Sequence, residues 1–246
     1  MRLLLLLLFF SPTLYADDIL IAVAANFAAP MQDIARQFES QTGHTVKLSF
    51  GSSGKFYAQI THGAPFDMFF SADRAKPEAL ERDRKIVPNS RFTYAVGQLV
   101  LWSRDDDLIK ASAEVLRNGQ FNKLALANPR LAPYGLAAQQ TLEHLGLRSI
   151  TEAKWVQGEN IAQTYQFVST GNAELGFVAG SQVLKLEKLI SGSAWLVPSN
   201  LHAPILQDAV VLKIAENRPV VHEFVAYLKS PEGAATIRRY GYLVVE

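Results

Sequence analysis

Ile19-Leu20-Ile21-Ala22-Val23-Ala24-Ala25-Asn26-Phe27 carries an apolar, β-rich run into a small polar turn, and a helical pattern begins directly behind it. The same change of character recurs at Gly51-Ser52-Ser53-Gly54, Ala132-Pro133-Tyr134-Gly135 and Gly158-Glu159-Asn160-Ile161. At each junction the first turn of a helix leaves N–H groups without partners in the helix, with the positive end of the dipole behind them. Such an end holds an anion without a cationic side chain. If each of two lobes supplies two of these turns, the natural occupant is a small oxyanion enclosed in the cleft between them.

Outward from the junctions, strands and helices alternate. Residues 18–24 form a short apolar strand. Asn26 reads as the N-cap of a helix whose Met31, Ile34, Ala35 and Phe38 recur at helical spacing until Gly43. Residues 45–50 alternate as a strand, Ser52-Ser53 cap a helix ended by Gly63, and 66–71 form a third strand. A short helix over 77–83 and a long strand over 93–103 follow. A second set repeats the scheme with strand 123–127, helix 136–145, strand 154–157, helix 161–169 and strand 175–179. A late strand runs through 206–214, and helices over 219–228 and 232–240 close the chain. The expected fold class is α/β, a two-lobe architecture with mostly parallel sheets and two crossover strands, 93–103 and 206–214. Lobe I is then discontinuous, 17–94 and 207–246, and lobe II is 95–206.

The beginning of the chain bears on where it works. Met1-Arg2, the apolar run from Leu3 to Phe10, Ser11-Pro12 and then Leu14-Tyr15-Ala16 have the layout of a secretory signal peptide (1–16) cleaved after Ala16. As a membrane anchor the run is too short, since a span takes about 20 residues. The chain has no cysteine, which excludes disulfides, thiolate metal sites, thiol nucleophiles and a lipid-bearing cysteine at the cleavage point. The mature chain is expected to be a soluble, monomeric periplasmic protein. The full chain has 246 residues, 49% of them apolar, and the roughly 230 left after cleavage can fill the cores of two modest lobes. A formal net charge of +1 implies neither nucleic acid nor an anionic membrane as partner.

The residues at the junctions also carry a resemblance. Val23-Ala24-Ala25-Asn26-Phe27-Ala28-Ala29-Pro30-Met31, then Ser49-Phe50-Gly51-Ser52-Ser53-Gly54-Lys55-Phe56, then Gly63-Ala64-Pro65-Phe66-Asp67-Met68-Phe69-Phe70-Ser71-Ala72-Asp73 look like the periplasmic molybdate-binding proteins of ABC importers. Asn128-Pro129 with Pro133-Tyr134-Gly135, Val178-Ala179-Gly180-Ser181 and Arg239-Tyr240-Gly241-Tyr242 extend the match in order along the mature chain. The resemblance implies the type II periplasmic binding protein fold, molybdate or tungstate as transported ligand, and delivery to an inner-membrane ABC permease. It implies no cofactor and no enzymatic activity, with molybdenum present only as the molybdate oxyanion. It also implies a ligand set: Ala25 and Asn26 from the first turn, Ser53 beside Ser52 from the second, and the backbone N–H groups of Tyr134 and Ile161 from the second lobe. Many members place a tyrosine, whose hydroxyl reaches the anion, where this chain has Ala179. The hydroxyl of Tyr134 is the expected substitute, with Asn26 standing in for a serine at the first turn.

The chemistry fits such a list. Molybdate at neutral pH is a tetrahedral dianion with no proton to give, so its site should offer only donors: N–H groups, hydroxyls and amide –NH2. Phosphate keeps a proton near pH 7 and calls for an acceptor. Size then separates molybdate and tungstate from sulfate, which remains an alternative ligand. Each residue also has an ordinary role open to it: Asn26 and Ser52-Ser53 as caps, Tyr134 as a surface aromatic, Asp67 and Asp73 as turn and cap residues, Lys55 as a solvated helix residue. Lys55 after Gly54 suggests a phosphate loop, but the motif's length and its following Ser/Thr are missing. A secreted hydrolase is the alternative from another class. His44, His62, His144, His202 and His222 show no metal spacing, and no Gly-x-Ser-x-Gly elbow is present. A sensing domain of a transcription regulator would lack the signal peptide and carry a DNA-binding helix pair.

Overall fold

Strand β1 (Asp18–Ala24) carries its apolar run into the interior of a sheet, where Ile19, Ile21, Ala22 and Val23 are fully buried. The computed structural model describes residues 16–110, 112–186 and 188–243; the signal peptide, apart from Ala16, lies outside them. After a turn of 3-10 helix (Ala25–Phe27) come α1 (Ala28–Thr42), β2 (Thr45–Gly51), α2 (Ser53–Thr61), β3 (Met68–Phe70), α3 (Ala75–Arg82) and β4 (Phe92–Gly97). The chain then passes through β5 (Leu99–Ser103), α4 (Glu114–Asn118), β6 (Leu124–Ala127), α5 (Pro133–His144), α6 (Arg148–Thr151), β7 (Trp155–Gly158) and α7 (Ile161–Ser169). Next are β8 (Leu175–Ala179), α8 (Gly180–Val183), a small hairpin of β9 (Leu184–Lys185) and β10 (Lys188–Leu189), and β11 (Ser193–Leu196). Strand β12 (Ile205–Val211) returns to the first sheet, and α9 (Pro219–Leu228) and α10 (Pro231–Arg239) follow.

Two five-stranded sheets result, ordered β2-β1-β3-β12-β4 and β11-β5-β8-β6-β7. In each, βα units run parallel, and one strand, β12 in the first sheet and β5 in the second, runs antiparallel to both its neighbours. The fold is a two-lobe α/β architecture with mixed sheets. Register matters more than strand count for the site. Ala24 lies opposite Gly51 in the β1–β2 pair, and Ala127 opposite Gly158 in the β6–β7 pair. Paired strands that end level deliver the turns behind them to one edge of the sheet, the carboxyl edge where open α/β folds bind ligands.

Three expectations are corrected. The single strand expected over 93–103 is broken at Gln98, with β4 in one sheet and β5 in the other; the Gln98 carbonyl accepts from Gly180 N (2.8 Å) instead of a sheet neighbour. The late strand starts at Ile205 and stops at Val211, giving way to a 3-10 turn (Lys213–Ala215). Helix α5 begins at Pro133 and not at residue 136, because proline's fixed φ and missing N–H suit a helix's first position.

Apolar side chains fill both faces of each sheet. On one face of the first sheet Phe27, Met31, Phe38, Phe70 and Phe224 form a continuous core; Leu99, Leu126, Ala138, Leu142 and Phe177 do so in the second. The lobes meet along the crossover strands, where β4 is bulged: Gln207 pairs with Ala95 and Asp208 with Thr93, which leaves Tyr94 as the extra residue. Tyr94 packs edge-on against Phe27, with ring centres 4.7 Å apart. Asp208 is fully buried and accepts from Thr93 Oγ1 (2.6 Å) and Arg91 Nη1 (2.9 Å). Among the described residues no helix is long and apolar enough to cross a membrane. Replacing Asp208 by Ala removes the buried carboxylate that Thr93 Oγ1 and the half-buried Arg91 share and leaves a cavity in its place, while Arg91 keeps Glu81, so the protein is expected to lose about 1–3 kcal/mol of stability. Urea unfolding checks this; a loss under about 0.5 kcal/mol, the usual range for surface changes, would contradict it.

Candidate functional site

The four junction turns face one another across the meeting of the lobes and enclose a single small cavity. It is lined by Ala24, Ala25, Asn26, Gly51, Ser52, Ser53, Ala72, Ala132, Pro133, Tyr134, Asn160 and Ile161. All six residues singled out from the sequence (Ala25, Asn26, Ser52, Ser53, Tyr134 and Ile161) are therefore brought together. Among the described residues no carboxylate, ammonium or guanidinium lines it. The cavity is small, about 10 Å³. The oxygens of a tetrahedral oxyanion are about water-sized and clustered round one atom, so this space suits one such ion and excludes organic solutes.

Local hydrogen bonding decides which N–H groups face the cavity. At α7 the Asn160 side chain caps Ala162 N and Gln163 N (both 3.0 Å), which leaves Ile161 N–H as the first-turn donor the cap does not use. At α5 Pro133 has no N–H, while Gly135 N and Leu136 N turn back to Ala132 O, which singles out Tyr134 N–H. At α2 the Ser52 hydroxyl accepts from Lys55 N (3.4 Å) and Gly54 N donates to Leu131 O (2.9 Å). Ser53 N–H remains. The Ser53 hydroxyl oxygen accepts from Ala72 N (2.9 Å), so its own proton is available to donate. Gly135 is needed at this turn, since a Cβ there would stand 2.1 Å from Ala127 O.

Two side chains differ from expectation. Asn26 does not cap α1: no side-chain cap bond is made there, and Phe27 holds the cap position. Its amide turns away from the cavity, donating to Gln207 Oε1 (2.7 Å) and to the Tyr242 hydroxyl (2.9 Å). Burial explains the choice, because these inner partners need it more than a turn that the 3-10 geometry already closes. The first turn thus presents backbone N–H groups and not the amide. Tyr134 is buried, and its hydroxyl accepts from Gln207 Nε2 (3.2 Å) against Gly97, where a Cβ would stand 2.2 Å from it. Its hydroxyl therefore belongs to the crossover strands and does not replace the missing tyrosine; its backbone serves the cavity. Ala179 does not line the cavity.

At the mouth Lys55 Nζ meets Glu159 Oε1 (2.5 Å) across the two lobes, so Lys55 is paired and not merely solvated. Asp73 Oδ1 caps Lys76 N (3.1 Å) and Asp67 holds Leu20 N (2.7 Å) and Arg218 Nη1 (2.7 Å), the structural roles expected of both. Sequence reasoning missed Gly97, Tyr94, Gln207 and Tyr242, which sit behind the cavity. One signal was present: Gln207, beside Asp208, interrupts a strand whose other residues are apolar.

A family model described as bacterial extracellular solute-binding protein matches residues 19–243. The chain belongs to the bacterial extracellular solute-binding proteins. The molybdate-binding protein of Azotobacter vinelandii is 53% identical over 227 residues, 92% of this chain and 90% of that one. That of Rhodobacter capsulatus is 46% identical over 228 residues, 93% of this chain and 89% of the relative. A solved structure of a periplasmic molybdate-binding protein from Azotobacter vinelandii superposes with a TM-score of 0.89 at 40% identity, covering 93% of this chain and all of that one.

In this solute-binding protein the layer behind the cavity is a buried cluster of three tyrosines. Burial pushes the phenols of Tyr94 and Tyr134 well up, and raises Tyr242 from 10.0 to about 12. Above pH 10 the unfolded chain gives up the Tyr242 proton while the folded chain keeps it, so the unfolded state binds fewer protons and stability falls with rising pH. The stabilisation is full below pH 10 and is lost as pH rises towards about 12. Urea midpoints measured across that window should decline, and less steeply in Tyr242→Phe. An identical decline in the variant would show that Tyr242 carries none of the linkage. A separate variant, Gly135→Ala, should displace the start of α5 and cost about 2–4 kcal/mol, because a methyl group cannot share space with a backbone carbonyl; unchanged thermal unfolding would contradict the tight approach.

Proposed function

We propose that this solute-binding protein binds molybdate, and tungstate with it, between its two lobes in the periplasm and passes it to an inner-membrane ABC permease. The observation that carries the reading is the donor set: backbone N–H groups from four helix starts plus the Ser53 hydroxyl, around a cavity of one-ion size without a charged side chain. A fully ionised tetrahedral anion needs donors on every oxygen and is repelled by any fixed carboxylate. The acceptor lone pairs of Ser52 and Ser53 already take Lys55 N and Ala72 N, so a protonated anion such as hydrogen phosphate finds little to donate to. The relatives from Azotobacter vinelandii and Rhodobacter capsulatus, both named molybdate-binding proteins, support the same ligand.

In this reading Ala25, Asn26, Ser52, Ser53, Tyr134 and Ile161 form the site, mostly through their backbones. The protein acts without turnover, needs no cofactor, works as a monomer and has no nucleic-acid partner. Secretion ends with cleavage after Ala16. The lobes are 17–94 with 207–246 and 95–206, and they close on the ion. Neutral donors suit a carrier that must release its cargo, because a buried cation would be costly whenever the cleft opened.

Calorimetric titration with molybdate, tungstate, sulfate and phosphate tests this directly. Molybdate and tungstate should bind most tightly, and saturating molybdate should raise the melting temperature. Binding of phosphate but not molybdate would overturn the reading. Ser53→Ala should cost about 1.5–3 kcal/mol of binding, one charge-assisted hydrogen bond, or roughly ten- to a hundredfold in affinity. Parent-like affinity would remove the Ser53 hydroxyl from the site.

A further inference from the structure

Behind the cavity, and touching none of it, Gln207 occupies the centre of a buried polar hub. It is fully buried on β12, the strand that brings the chain back from the second lobe to the first. Its Oε1 accepts from Asn26 Nδ2 (2.7 Å) and from the Tyr94 hydroxyl (2.9 Å), and its Nε2 donates to the Tyr134 hydroxyl (3.2 Å). The Tyr94 hydroxyl also lies 3.0 Å from Ser71 O, next to Ala72, whose N–H holds Ser53 Oγ. One amide thus reaches three of the four cavity turns: the first through Asn26, the second through Tyr94, Ser71 and Ala72, and the third through Tyr134.

Tyr242 completes the hub. Its hydroxyl accepts from Asn26 Nδ2 (2.9 Å) and lies 2.8 Å from Asn26 O and 3.0 Å from Ser181 Oγ. Ser181, at the start of α8 in the second lobe, donates to Asn26 O (2.8 Å). The first turn is therefore held on both its amide and its carbonyl, by groups from both lobes. Gly97 makes room, since a Cβ there would stand 2.2 Å from the Tyr134 hydroxyl and 2.7 Å from Gln207 Nε2. No buried side-chain polar atom among the described residues lacks a partner, so each polar atom of the hub makes at least one hydrogen bond.

We infer that Gln207 is a positioning residue for selectivity: by tying three cavity turns to one amide, it fixes the spacing of the donors and so the size of tetrahedral oxyanion the site accepts. The inference rests on the oxyanion reading of the cavity. Backbone donors cannot adjust their reach as long side chains can, so a cavity lined by them discriminates by its dimensions alone. Sulfate and molybdate carry the same charge and shape and differ in size. Whatever holds the turns apart therefore sets the preference between them. Loss of the hub should loosen the spacing and weaken the larger, better-fitted ion more than the smaller one.

The test titrates the parent, Gln207→Leu and Gly97→Ala with molybdate, and with sulfate by displacement of molybdate, alongside the melting temperature of each ligand-free protein. Gly97→Ala removes no hub side chain but must displace the Tyr134 hydroxyl and the Gln207 amide, so it disturbs the same spacing by a second route if Gln207→Leu does not fold. The parent should prefer molybdate. In either variant the ratio of molybdate to sulfate affinity should shrink by about tenfold or more, the discrimination a misfitted contact typically loses. A variant with a lowered melting temperature but an unchanged ratio would show a purely structural hub and overturn the inference, leaving the oxyanion reading intact. A parent that binds neither ion would overturn the oxyanion reading itself, and the inference with it.

Discussion

A doubly charged oxyanion leaves water only where donors replace its hydration shell, and on the proposed function that requirement organises this molecule from the strand ends outward. A buried cation would supply the attraction, but it would stand unpaired each time the cleft opened. Helix starts supply it through peptide N–H groups that are orphaned in any case. Four must converge on a cavity of about 10 Å³, which constrains everything near it. Small residues line it, namely Ala24, Ala25, Gly51, Ala72 and Ala132, because larger side chains would hold the backbones away from the ion. Paired strands end level, Ala24 with Gly51 and Ala127 with Gly158, because helices that start at different heights could not share a ligand.

The donors come from both lobes, so the site is complete only where the lobes meet. Contacts that mark the meeting include polar ones, Gly54 N to Leu131 O, Lys55 to Glu159, Gln207 to Tyr134 and the Ser181–Asn26–Tyr242 cluster, beside a small apolar patch where Ala24, Ala25 and Ala72 pack in one cluster with Ala132 and Ile161. An exposed pair such as Lys55–Glu159 is worth little by itself in water. A closure held by contacts of this kind can be tipped by a ligand, which binds the closed arrangement better and raises its population. A large apolar interface would hold the lobes shut and trap the ion.

Much of this was legible in the sequence. The four turns are visible because a helix start beside a strand end has a compositional mark: small or polar residues between an apolar run and a helical period. Strands β1, β6 and β8 were found because central strands are apolar throughout. Asn26 shows where local reasoning stops. An asparagine ahead of a helix reads as a cap, yet Gln207 and Tyr242, far away in sequence, claim its amide. Tyr134 fails in the same way: its place in the site followed from its turn, but the direction of its hydroxyl depends on Gly97 and Gln207. Nor could the break at Gln98 be read from a run of strand-forming residues, because it arises from one strand serving two sheets. Local chemistry places a turn; only tertiary packing says which way a buried side chain faces.

The central claim is that the ion is held by neutral donors alone, with no titrating group taking part. Calorimetric binding of molybdate near neutral pH, repeated in buffers of different ionisation enthalpy, tests it most directly. The account predicts the same heat in every buffer, because neither a side chain nor the ion gains or loses a proton. A heat that varies with the buffer would reveal a proton taken up or released on binding, and would contradict a site built from neutral donors.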